Sequence, residues 1–82
     1  VSNQTFLKED FRKAAQHQRG TWNALQAVEE NIQGEKYKEA MLSTVDLLNS
    51  IRELDRLAEK KVKQDELEYI TQTFVNVMLK RR

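Results

Sequence analysis

The chain has 82 residues, with 14 Lys or Arg against 13 Asp or Glu, no Cys and no Pro. That length suits one small domain, the near balance of charge creates no strong field toward nucleic acid or a membrane, and the lack of Cys excludes a disulfide framework, a thiolate zinc site and thiol catalysis. Hydrophobic residues make up 39% and charged residues 33% of the chain, a mixture that fits amphipathic helices.

Apolar residues first recur at Leu7, Phe11, Ala14, Trp22, Leu25, Val28 and Ile32. Steps of three or four residues, or their sums, place them on one helical face. The stripe passes Gly20, so a single helix over residues 4–33 is expected, with a break at Gly20 as the lesser alternative. Gly34 then suits a left-handed C-terminal cap. A second helix is expected over 36–62, carrying Tyr37, Ala40, Met41, Leu47, Leu48, Ile51, Leu54, Ala58 and Val62 on a wide face.

The next boundary has no Gly or Pro to mark it. Asp65-Glu66-Leu67-Glu68 reads as a variant capping box, with acid in the first turn of a third helix over 65–81. Its stripe is Leu67, Ile70, Phe74, Val77 and Met78, and it ends in Lys80-Arg81-Arg82. No alternating strand pattern occurs. The fold expected is all-α: residues 1–82 as one antiparallel, up-down-up three-helix bundle with long helices, or four helices if the first breaks at Gly20.

Residues for chemistry are sparse. His17 is the sole histidine, and His17-Gln18-Arg19-Gly20-Thr21 only approximates the spacing of a phosphotransfer histidine. The bland reading, a helix histidine at the stripe's edge, is preferred. Glu9-Asp10, Glu29-Glu30 and Asp65-Glu66-x-Glu68 lack the spacing of a calcium loop or a carboxylate–histidine metal site. Ser2, Ser43 and Ser50 lack a nucleophile-elbow context, and no Gly-rich phosphate loop exists. The chain therefore reads as non-enzymatic, with no cofactor and no metal.

Lys60-Lys61-x-Lys63 and Lys80-Arg81-Arg82 are basic clusters without interleaved aromatics. In a three-helix bundle they fall at opposite poles, so nucleic acid is an unfavoured partner. Gln18, Asp55 and Thr71 project into the three stripes at similar heights and would form a hydrogen-bonded layer fixing register. Trp22 and Tyr37, next to the first link, read as core or as an exposed hot spot. Leu57, Tyr69 and Leu79 lie off their stripes, and these five residues are the candidate partner-binding set.

The segment Gly34-Glu35-Lys36-Tyr37-Lys38-Glu39-Ala40 resembles the Gly-x-Tyr-x-x-Ala start of the second helix in tetratricopeptide repeats. It is also similar to the equivalent turn in microtubule-interacting-and-trafficking domains and in helical rods of vesicle-tethering subunits. The likeness covers about twenty residues, counted with Trp22 and Leu25, with one extra residue between Gly34 and Tyr37 and no ~34-residue period. It implies peptide or partner-helix binding.

Together these features point to a helical protein–protein interaction or adaptor domain. It would bind an amphipathic helix or peptide, or another subunit, and a homodimer is compatible with its long stripes. A nucleic-acid-associated regulatory protein is the alternative, and a His17 phosphotransfer domain the third. No apolar run reaches the ~18 residues of a membrane span, no secretory leader pattern is visible, and a cytoplasmic setting is expected.

Overall fold

A computed structural model describes residues 1–80. A 3-10 turn at Lys8–Asp10 leads into α1, Phe11–Gln33, and a short link leads into α2, Tyr37–Lys80. The two helices are antiparallel neighbours. The molecule is a rod, 72 × 18 × 12 Å, with a radius of gyration of 19.7 Å. A compact chain of this length would have a radius near ~12 Å.

The expected three-helix bundle is not formed, and neither is the four-helix variant. α1 runs unbroken through Gly20, because one glycine costs only ~1 kcal/mol and here it also admits a close neighbour. A Cβ at Gly20 would lie 3.3 Å from Ser50 Oγ on α2. The expected break between residues 62 and 65 is absent, and α2 continues for 44 residues. The chain has no Gly or Pro after Gly34 to stop it. The Asp65 carboxylate, read above as a cap, is instead paired with Lys61 Nζ at 2.5 Å, one turn back on the same helix. Such a pair supports helix continuation.

The first helix also begins later than position 4. Ser2 O accepts bonds from the backbone N–H groups of Thr5 and Phe6. This turn folds Phe6 into a small cluster with Ala14 and Leu57, flanked by Phe11, Leu54 and Ala58. The cluster closes the open end of the α1–α2 hairpin.

At the other end the link is a Schellman motif shifted by one residue. Lys36 N–H donates to Asn31 O at 2.7 Å and Glu35 N–H to Ile32 O at 3.0 Å. The left-handed residue is Glu35, with φ 58°, while Gly34 sits at φ −83°. Gly34 therefore does not take the left-handed role expected of it.

The seam between the helices is built from small side chains. On α1 the rows at steps of three and four are Ala14, His17, Thr21, Ala24, Val28 and Asn31; on α2 they are Ala40, Ser43, Leu47, Ser50, Leu54 and Leu57. All are buried or half-buried. Asn31 Nδ2 donates across the seam to Ser43 Oγ at 3.2 Å, and that hydroxyl donates to Glu39 O at 3.0 Å. Small residues let the two backbones approach closely. The large apolar side chains Trp22, Leu25 and Ile32 are thereby rotated outward rather than buried as their stripe suggested.

Candidate functional site: the projecting end of the second helix

α1 and the N-terminal turn cover α2 only to about Lys61. From Val62 to Lys80 every residue is exposed. This projection of α2 is about 28 Å long at 1.5 Å per residue.

The row of α2 that faces α1 changes character where α1 runs out. It reads Ala40, Ser43, Leu47, Ser50, Leu54 and Leu57, then Lys61, Gln64, Glu68 and Thr71. The apolar residues reappear on a different side. At 100° per residue, Leu67, Ile70, Phe74 and Val77 form a ridge turned away from the seam side. Phe74 remains 64% exposed and Leu67 65%. The shallow apolar depression bounded by Tyr69, Ile70, Thr73, Phe74 and Val77 lies between turns of this single helix. The sequence reading assigned the ridge to the core of a third helix. The polar turn of the seam row after Leu57 was the signal that these residues do not pack on α1.

The five sequence-derived candidates are not brought together. Trp22 and Tyr37 are exposed near the hairpin link, and Tyr69 and Leu79 are exposed on the projection. Leu57 is 2% exposed in the core cluster, so it cannot meet a partner without opening the hairpin. It reads as off-stripe only if the second helix must serve two neighbours. The polar layer does not form either: Gln18 is half-buried, whereas Asp55 and Thr71 are exposed, and Thr71 lies on the projection, beyond α1. His17 is half-buried in the seam rather than at an exposed edge.

Charged groups organise the junction between hairpin and projection. Asp10 is almost fully buried, and Lys60 Nζ lies 3.2 Å from its Oδ2 and 3.3 Å from Glu9 Oε1. Asp10, then Glu9, raises the Lys60 pKa above its ordinary 10.5 by bonding the charged ammonium. Arg56 donates to Glu53 Oε2 at 2.7 Å and holds that carboxyl below its ordinary 4.5. Lys60, Lys61 and Lys63 lie on the same helix as Lys80 rather than on a separate one, and the rest of the second basic cluster, Arg81 and Arg82, lies outside the described residues. Lys60 is engaged by Glu9 and Asp10, and Lys61 by Asp65.

Among the described residues no cluster of three metal-ligating side chains occurs, and no helix is long and apolar enough to cross a membrane. No protein-family model, curated protein or solved structure matches the chain.

Proposed function

We propose that this chain is a non-enzymatic helical interaction domain that packs a partner helix along the ridge Leu67, Ile70, Phe74 and Val77. One observation carries the reading: a helical projection with a continuous apolar ridge that no other element among the described residues covers. A packed partner would stabilise the helix there. Five of the eight residues from Ile70 to Val77 are β-branched, a composition of low intrinsic helix propensity, and most helical stability in proteins comes from packing an apolar face. Helix against helix is the matching recognition mode. Tyr69 and Leu79 flank the ridge and contribute at its margins, while Trp22 and Tyr37 form a separate, smaller patch. The proposed setting is cytoplasmic.

The nucleic-acid reading ranks second, since two of its lysines are already spent in ion pairs. Capture from native lysate after nuclease treatment separates the two. A protein held by the wild type and by Trp22→Ala, but lost with Phe74→Glu, supports the ridge. Retention by Phe74→Glu, or recovery of nucleic acid alone, overturns it.

A further inference from the structure

We infer that the occupant of the ridge is a second copy of this chain, packed antiparallel on the projection of α2; the inference rests on the interaction reading above.

The exposed area is the first argument. The chain exposes 7039 Å². A compact monomer of 9.7 kDa exposes ~5,100 Å². The excess of about 1,900 Å² per chain leaves ample surface for an interface of standard size, about 1,600 Å² in total.

The spacing of the ridge is the second. Leu67, Ile70, Phe74 and Val77 follow steps of three, four and three. That series reads the same in both directions, so it is complementary to itself when reversed. An antiparallel pair centred beside residue 72 sets Leu67 against Val77 of the other copy and Ile70 against Phe74, in four layers related by a two-fold axis. Such a closed, isologous contact stops at two chains.

Charge supplies the third argument and fixes direction. With Leu67 and Phe74 taken as a positions and Ile70 and Val77 as d positions, Glu66, Thr73 and Lys80 occupy g. In an antiparallel pair, g positions face g positions. The register that makes the four apolar layers also brings Glu66 of each copy to Lys80 of the other, twice by symmetry, and sets Thr73 against Thr73. The other flank brings Thr71 to Thr71. In a parallel pair Glu66 would face an uncharged Thr71, and the charge match is lost.

The absence of native Cys makes the test clean. In the full chain, Thr73→Cys places one thiol beside the two-fold axis, whereas Gln72→Cys places it on the opposite side of the helix. Sedimentation of the wild type is expected to give twice 9.7 kDa. Mild oxidation is expected to link Thr73→Cys into a covalent dimer and to leave Gln72→Cys unlinked. Lys80→Glu is expected to weaken the dimer about fivefold, and adding Glu66→Lys is expected to restore it. A chain that stays monomeric up to about 1 mM overturns the proposal, as do equal linking at both thiols or a reversed charge pair that fails to rescue. Amide exchange on such a monomer then separates this failure from that of the interaction reading. An unprotected 62–80 segment leaves the ridge awaiting a different partner. A segment protected against the hairpin of its own chain removes both readings.

Discussion

The two halves of α2 are one uninterrupted helix held in two different ways. Residues 37–61 lie against α1 through Ala40, Leu47, Leu54 and Leu57, with a hydrogen bond from Asn31 to Ser43 across the seam and an ion pair at its end. Residues 62–80 are exposed throughout, and among the described residues neither α1 nor the N-terminal turn covers them. The contrast teaches that continuity of a helix and stability of a helix are separate matters. Continuity follows from the absence of Gly and Pro. Stability follows from what the apolar row faces, and that row moves around the helix after Leu57.

Truncating one leucine in each half gives the widest contrast. Leu57→Ala removes a buried side chain from the closing cluster and is expected to cost the hairpin ~3 kcal/mol in chemical denaturation. Leu67→Ala in dilute, monomeric protein is expected to stay within ~0.5 kcal/mol of wild type, because its side chain is exposed there. At high protein concentration the same Leu67→Ala substitution is expected to become clearly destabilising, since the dimer then buries that position. Equal costs in dilute solution would erase the distinction between the halves.

The link gives a smaller effect confined to the hairpin. Glu35 occupies a left-handed conformation that costs a residue with a side chain ~1 kcal/mol. Glu35→Gly is expected to raise hairpin stability by ~0.5 kcal/mol, the gain being trimmed by added freedom in the unfolded chain. Gly20→Ala is expected to raise it by a few tenths of a kcal/mol. Its better helix propensity is offset by the tight approach of the Ser50 hydroxyl, which can rotate aside.

The weakest effect sits at the junction of the halves. Because Asp10 and Glu9 raise the Lys60 pKa above 10.5, their contribution is full below that pH and fades as pH rises through the raised value. Thermal melts of wild type against Lys60→Met are expected to differ most below pH 10.5 and to converge only as pH rises through the raised value. Glu53 behaves in the opposite sense: its pairing with Arg56 contributes above about pH 4.5 and fades as pH falls through the lowered value. A Lys60→Met difference that persists unchanged at high pH would show that the ion pair is not its source.

Much of this arrangement was legible in the sequence. The all-helical class, the continuous passage through Gly20 and the link near Gly34 follow from spacing and from two glycines. Three features were not. The seam residues Thr21, Ala24, Ser43 and Ser50 are too small or polar to compete with Trp22, Leu25 and Ile32 in a hydropathy stripe, yet small side chains allow the closer contact. The cap at Asp65 depended on whether its carboxylate bonded backbone or Lys61, a choice that pattern alone leaves open. The ridge on the projection was visible as a stripe, but a stripe does not say whether its cover comes from the same chain. Of the candidate site residues, Tyr69 and Leu79 lie beside the ridge, whereas Leu57 belongs to the core.

Residue-resolved amide exchange, measured on the full chain across a dilution series, tests the central claim most directly. The account predicts that protection of residues 37–61 is independent of concentration, while protection of residues 62–80 falls away on dilution as the second copy leaves. Protection of residues 62–80 that persists undiminished in the dilute monomer would contradict it, because the ridge would then be held by its own chain.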